Sequence, residues 1–514
     1  VEDGSPAEGS ADVSDASTAQ QPDADASPDA GEAGVTVTDA DATATTGDAA
    51  DATSPDAPVS NEAGDAASAP DSDGASPADA PAESGLTYSL SVTLVTYGPT
   101  TGTLGSTPSG ISCSAGCTQA IQLPAGSPVH LAVTGASGTL MRWSGACTGT
   151  AATCDLTMNA ATSVRLVLNA YNYAFVTSST QAGDFGGLNP VDAGLPAADS
   201  MCAQAAASAN LPGTFKAYFS TASVSARSRL GSARGWIRVD GAPVFDTVTK
   251  MDTGTMYYPL NLDENGQRAA AEQCVWTASS LDGTYYGGTV GTCNGWTSAA
   301  STDFALIGVA SWESGGWSCT NTATRCNSSC AVYCLGTDLT AAVAAPTSTG
   351  RIAFLSTGTW TPSSGVAAAN SLCNLEASGA SLSGTYAALL ATPTASAMSA
   401  GGFSLVGATW VRPDGVPVAA NPSAFAVGNL QSAIDVHADS TYQSVQSSVW
   451  TGASSPSIPG TDSTTCSGWT AADASAAYSS TIQGKPNDLS TQFFDLVGYA
   501  TDCSTPRQVY CLEQ

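Results

Sequence analysis

Fifteen cysteines, two histidines and ten tryptophans are the residues of this 514-residue chain whose types could do chemistry. Two histidines are too few for a His-rich metal site, and a nucleophile–histidine array would have to use one of them. His437 stands in Asp435-Val436-His437-Ala438-Asp439, and His130 stands in an apparent strand with no evident partner. A pair of carboxylates for glycoside hydrolysis is set by tertiary structure, and nothing in the pattern selects one. There is no phosphate-binding glycine loop and no dinucleotide fingerprint. Asp263, Glu264 and Asn265, with Asp282 further on, could offer oxygens to a calcium ion, the one cofactor these residues suit. A solvated acidic loop is the competing reading. Trp312 and Trp317, with Gly315 and Gly316, lie in a Cys-rich stretch and are candidates for an exposed aromatic ligand contact, a packing role being the competing reading, and Asp282 is a further ligand-binding candidate. Trp276, Trp296, Trp450 and Trp469 read as core residues.

The positions of these groups depend on how the chain is divided. Residues 1–85 hold 20 of the 44 acidic residues and no Lys, Arg, Leu, Ile, Cys or aromatic residue. Such a segment cannot bury enough apolar surface to offset chain entropy, and its like charges repel. It is expected to be a disordered, extended tether. The remainder, 86–514, carries 24 acidic and 14 basic residues, a balance of -10 against -30 for the whole chain. That balance argues against nucleic acid as a partner. No stretch reaches 18 apolar residues, so no membrane span is expected.

A small all-β module is expected over 86–171. Tyr88–Val95, Val129–Val133 and Val164–Leu168 are β-rich, separated by glycine-bearing turns. Cys113 with Cys117, and Cys147 with Cys154, are close enough to staple it.

The rest of the chain is a duplication. Trp236-Ile237-Arg238-Val239-Asp240-Gly241 matches Trp410-Val411-Arg412-Pro413-Asp414-Gly415. Cys293-Asn294-Gly295-Trp296-Thr297 matches Cys466-Ser467-Gly468-Trp469-Thr470, and Val332-Tyr333-Cys334-Leu335 matches Val509-Tyr510-Cys511-Leu512. The copies are expected over 172–345 and 350–514. Each carries an Ala-rich helix, Ala197–Ala207 or Val366–Ala377, among short strands and long loops, which makes each α+β. The second copy has an insertion around Asp473–Asn487. Its four cysteines allow three pairings. The eight-residue spacing of Cys503 and Cys511 recurs in Cys326 and Cys334. Aligning the copies on it favours Cys202–Cys334 with Cys373–Cys511, and Cys293–Cys326 with Cys466–Cys503. One bond among Cys274, Cys319 and Cys330 leaves one thiol, or a bridge to another chain. A zinc site of three or four cysteines is the rival reading.

Three resemblances add to this. Asp/Ala/Ser/Pro tracts of the kind in 1–85 look like the linkers of bacterial outer-membrane lipoproteins, which implies a processed start and a lipid anchor ahead of Val1. Arg142-Trp143-Ser144-Gly145-Ala146-Cys147, Cys154-Asp155-Leu156-Thr157-Met158 and Ser163-Val164 resemble the divergent internalin-type bacterial β repeat, a spacer or adhesion element. Phe175-Val176-Thr177-Ser178-Ser179, Gly186-Gly187-Leu188, the Cys202 helix, Leu211–Tyr218, Cys293–Thr297 and Tyr333-Cys334 resemble a bacterial domain similar to endostatin, which has a C-type-lectin-like fold. Both copies fit, the first better. The usual calcium-lectin phrases Glu-Pro-Asn, Gln-Pro-Asp and Trp-Asn-Asp are absent. The resulting expectation is an extracellular or outer-membrane-tethered protein with two tandem lectin-like domains that binds a glycan or a surface protein. A purely structural envelope protein and a glycan-acting hydrolase are the alternatives.

Overall fold

Alternating apolar positions in the first module become one buried face. The computed structural model describes residues 85–186, 194–287, 291–444, 446–471, 482–496 and 502–514. Residues 1–84 of the expected tether lie outside the described residues, as do Gly187, Leu188 and residues 473–481 of the insertion. Eight strands build the module: β1 (Thr87–Tyr97), β2 (Thr103–Thr107), β3 (Ser112–Ser114), β4 (Cys117–Pro124), β5 (Pro128–Thr134), β6 (Leu140–Gly145), β7 (Thr153–Thr157) and β8 (Thr162–Asn169). They form two sheets, ordered β4-β1-β8-β6 and β3-β2-β5-β7. Leu90, Val92, Leu104, Leu131, Trp143 and Leu166 from both sheets share one core. The Trp143 indole donates to the Ala151 carbonyl at 2.6 Å, which satisfies its buried N–H. His130, expected without a partner, has one. It lies directly opposite Asp155 in the β5–β7 register, with Nδ1 2.6 Å from Oδ1. Strand register, which brings residues 25 apart face to face, is what the local pattern could not show.

The two copies repeat a common four-stranded arrangement. In the first, β9 (Asn172–Val176) pairs antiparallel with β16 (Ala331–Gly336) and parallel with β11 (Trp236–Ile237), and β10 (Phe215–Ala217) pairs with β16. In the second, β17 (Arg351–Leu355) pairs antiparallel with β22 (Tyr510–Glu513) and parallel with β19 (Trp410–Val411), and β18 (Tyr386–Ala388) pairs with β22. The first copy extends its sheet with β12 (Pro243–Phe245), β13 (Cys274–Trp276), β14 (Phe304–Val309) and β15 (Ala323–Arg325), while β20 (Val449–Trp450) and β21 (Gln483–Gly484) pair apart. The architecture is α+β with several β-sheet modules.

Each Ala-rich helix, Leu195–Ser208 or Gly365–Gly379, lies against its sheet through alanines and one cysteine. Cys202 is bonded to Cys334 and Cys373 to Cys511, which ties each helix to the last strand of its copy. Bonds also join Cys293 to Cys326, Cys466 to Cys503, Cys274 to Cys330, Cys113 to Cys117 and Cys147 to Cys154. Cys319 is the free, buried thiol. The phrases beginning Cys293 and Cys466 each form a left-handed turn. All four residues of each have positive φ, and the preceding Thr292 or Thr465 hydroxyl accepts from the Gly295 or Gly468 amide. Left-handed backbone is costly for non-glycine residues, so burial must hold it. Trp296 and Trp469, at the ends of these turns, are fully buried and donate to the carbonyls of Ser220 and Ala391.

Candidate functional site at the seam between the copies

Residues Pro81–Gln514 form one unit, and within it the two copies meet where they differ. The Cys-rich loop of the first copy bridges the segment after the insertion of the second, Trp312 to Asp488. The Glu313 amide donates to the Asn487 carbonyl at 2.7 Å, and the Leu489 amide donates to the Ser311 carbonyl at 3.1 Å. Asn487 Nδ2 donates to the Ser314 carbonyl at 2.9 Å.

The centre of the seam is a buried guanidinium. Arg412 follows Trp410 on β19, just as Arg238 follows Trp236 on β11. Arg238 pairs with Asp240 and donates to Asn261 Oδ1 at 3.1 Å. Arg412 pairs with Asp414, and Asp435 stands where the first copy has Asn261, 3.2 Å from Arg412 Nη1. Glu313 reaches across from the first copy to the same Nη1 at 2.7 Å. The side chains of Arg412, Glu313 and Asp435 are all 0% exposed. Burial works against the Arg412 charge, but Asp414, Glu313, Tyr442 and Asp435 outweigh it and hold its pKa well above the ordinary value. Burial also opposes ionisation of Asp414, yet Arg412 and Tyr442 hold its pKa below the usual range. Glu313 and Asp435 go the other way. Burial pushes both up against the pull of Arg412, and Asp435 adds to the push on Glu313. One guanidinium does not favour three buried carboxylates equally, and Asp414 is the one held below the usual range. Glu313 Oε1 and Asp435 Oδ2 have no hydrogen-bond partner among the described residues.

A second polar cluster lies beside Trp312. Its indole N–H donates to Glu272 Oε1 at 3.3 Å, and Lys485 Nζ stands 3.3 Å from its ring centroid. Glu272 Oε1 also accepts from Ser311 Oγ at 3.4 Å and Ser490 Oγ at 3.2 Å, the latter from the second copy. Asp488 lies beside Glu272: Ser490, whose hydroxyl donates to Glu272, donates its amide to Asp488 Oδ1 at 2.7 Å.

At the surface the seam opens into a groove of about 460 Å³. Its walls are Lys250, Thr253 and Thr255 of the first copy and Ser440, Thr441, Tyr442 and Ser444 of the second. Its size falls in the range of small-ligand sites, and its hydroxyls and one ammonium can donate and accept hydrogen bonds.

The residues singled out in the sequence fall elsewhere, with one exception. Trp312 and Trp317, the candidates for an exposed contact, are 7% and 2% exposed. Trp312 is covered by the second copy. Trp317 packs among Tyr218, Phe245 and Tyr333, with ring centroids 4.9, 5.7 and 5.4 Å away. A Cβ at Gly308 would lie 1.8 Å from the Trp317 carbonyl oxygen, so only glycine admits this packing. Asp263 and Glu264 are also buried, and their oxygens serve the chain itself. Asp263 Oδ1 accepts from the amides of Asn265 and Gln267 at 2.8 Å each. Glu264 accepts from the Ser178 amide at 3.0 Å and from its hydroxyl, pinning the end of β9. Asp282 accepts from the Thr284 amide and hydroxyl and lies 3.7 Å from Arg227. Among the described residues no three His, Cys, Asp or Glu converge as a metal site. His437 is held by the Leu355 carbonyl at 2.9 Å and Gln443 Oε1 at 3.0 Å. Glu272, Glu313, Arg412, Asp435 and Asp488 were missed as a group. Glu313 and Asp488 stand where the copies stop matching, and Asp435 replaces Asn261, whereas Arg412 matches Arg238 and gave no such signal.

Fold and seam together define a disulfide-stapled α+β protein whose duplicated halves are joined through buried charge. No family model matches the chain, and no curated protein matches it. Among solved structures it is similar to a bacterial adhesin from Mobiluncus mulieris containing intramolecular disulfide, isopeptide and ester bond cross-links. Identity is 10%, the match covers 16% of this chain and 40% of that one, and the TM-score is 0.13. The chain thus spans less than half of the adhesin's length. Among the described residues no helix is long and apolar enough to cross a membrane.

Proposed function

We propose that the chain is an extracellular binding protein that takes a short glycan in the groove between its two copies. The observation that carries this reading is the composition of that groove, hydroxyls from both copies with Tyr442 and the ammonium of Lys250. Sugar hydroxyls need such a mixed set of donors and acceptors, and Tyr442 offers an aromatic edge beside them. Seven disulfides support a location outside the reducing cytoplasm. The finer assignment belongs to the same proposal: an internalin-type β module over 86–171, then two endostatin-like domains of C-type-lectin-like fold over 172–345 and 350–514, tethered at the cell surface through residues 1–85. The repeated strand order of the two copies supports it.

A structural spacer without a ligand is the second reading. The buried Arg412 cluster favours it, because it fixes the two copies to one another. A glycan array followed by thermal unfolding separates the two. Binding in the groove should give array signals that Lys250→Glu and Ser440→Trp each reduce at least tenfold, and a ligand-dependent rise in unfolding temperature. Repeating the array with calcium and with chelator tests the metal-dependent form. A silent array, or signals that both substitutions leave intact, would favour the spacer.

A further inference from the structure

The cluster beside Trp312 holds two carboxyl groups that face one another from different copies. Glu272 belongs to the first, and Asp488 to the second. Their surroundings are unequal. Glu272 Oε1 accepts from Ser311 Oγ, Trp312 Nε1 and Ser490 Oγ. Asp488 is 0% exposed. Its Oδ1 accepts from the Ser490 amide at 2.7 Å, while its Oδ2 is buried with no partner among the described residues. Two carboxyl groups that share Ser490 as a donor, one of them fully buried, do not both keep a charge uncompensated. Something positive must lie between them, and the choice is a proton or a metal cation. Three donors aimed at Glu272, and the ammonium of Lys485 already over Trp312, suit an anion that shares a proton and disfavour a further metal charge.

We propose that Glu272 and Asp488 share one proton across the seam, and that loss of this proton loosens the second copy from the first. Burial, with Glu272 as the second cause, pushes the Asp488 carboxyl up to about 7, which puts the release near neutral pH. Burial pulls Lys485 down from its ordinary value while Asp488 and Glu272 hold it up, so it balances part of the negative charge. Among the described residues it makes no ion pair within 4.0 Å with either acid. Tyr510, on β22, is fully buried and raised by burial, with Asp488 and Asp435 contributing, so it stays neutral throughout. The other titratable groups at the seam are Glu313, Asp414, Asp435 and Tyr442 around the Arg412 guanidinium, Arg268, which donates to the Leu430 carbonyl of the second copy at 3.3 Å, and Lys250 on the groove wall. The sign follows from proton counting. The closed seam holds a proton that the opened, solvated Asp488 gives up near its ordinary value of 3.8. Closure is therefore favoured in acid, weakens as pH rises from about 4 to about 7, and levels off above.

Amide hydrogen exchange of the full chain between pH 5 and 9, corrected for intrinsic rates, reads the seam through the amides of Glu313 and Leu489. In the native chain their protection should fall at least tenfold between pH 5 and about 7 and level off above, with the fall absent from the β1–β8 module. Asp488→Asn supplies an amide donor in place of the proton and should keep protection high and flat. Glu272→Gln should do the same from the other side and stands in if Asp488→Asn fails to fold. Glu313→Gln should leave the transition in place. Flat protection in the native chain, or a transition that survives both Asp488→Asn and Glu272→Gln, would overturn the proposal. So would a transition that only Glu313→Gln removes.

Discussion

Replacing Arg412 by alanine should destabilise the protein by about 3–5 kcal/mol, the usual cost of removing one member of a buried ion cluster. The substitution leaves Asp414 buried without its guanidinium, and takes from Glu313 and Asp435 the cation they contact among the described residues. It also strands the Met256 carbonyl of the first copy, which accepts from Arg412 Nη2 at 2.9 Å. The matching Arg238→Ala should cost only about 1–2 kcal/mol. Its partner Asp240 is 44% exposed, and Asn261 is neutral, so no buried charge is abandoned. Urea unfolding of the two variants side by side measures the difference. Equal losses would mean that the seam adds nothing to the value of the second arginine.

Removing the Cys373–Cys511 bond by a double serine substitution should cost about 4–5 kcal/mol, against about 2 kcal/mol for Cys113–Cys117, on the chain-entropy account. The first bond spans 138 residues and the second four. Cys466–Cys503 lies inside the larger loop and spans 37, which shortens the effective loop to roughly 100 residues without changing the order of the two effects. Calorimetry should show the transition of the second copy moved down and that of the β1–β8 module unchanged. A larger loss from Cys113–Cys117 would mean that native contacts, and not loop closure, set the contribution of these bonds.

Much of the local architecture was legible. The Ala-rich helices, the strands of the first module and the Trp-Ile/Val-Arg strands running into Asp-Gly turns follow from periodicity and turn chemistry, which act over a few residues. The odd cysteine number required one thiol left over, and Cys319 is that residue. The seam was not legible, because its members come from residues 272, 313, 412, 435 and 488, and no local rule joins them. Trp312 shows the difficulty most plainly. An isolated copy would offer it as a surface aromatic in a glycine-rich loop, which is how its neighbourhood reads. Only the second copy, through Asp488 and Lys485, turns it into a buried contact. The Asp263-Glu264-Asn265 turn misleads in the same way. Its acidic residues look free until Ser178 and the turn's own amides are placed against them.

The bond from helix to last strand also sets an order of events during synthesis. Cys202 precedes its partner Cys334 by 132 residues, whereas Cys274 and Cys293 come 72 and 91 residues after it and Cys293 meets Cys326 after only 33. A chain made from its N-terminus thus presents the helix thiol to five other cysteines of the first copy before the right one exists. The first copy stays covalently open until its final strand is made, and any early pairing of Cys202 must be undone by thiolate attack. Maturation of this protein should therefore depend on a disulfide-isomerising activity and not on an oxidant alone, a requirement that a chain stapled only by short loops such as Cys147–Cys154 would escape.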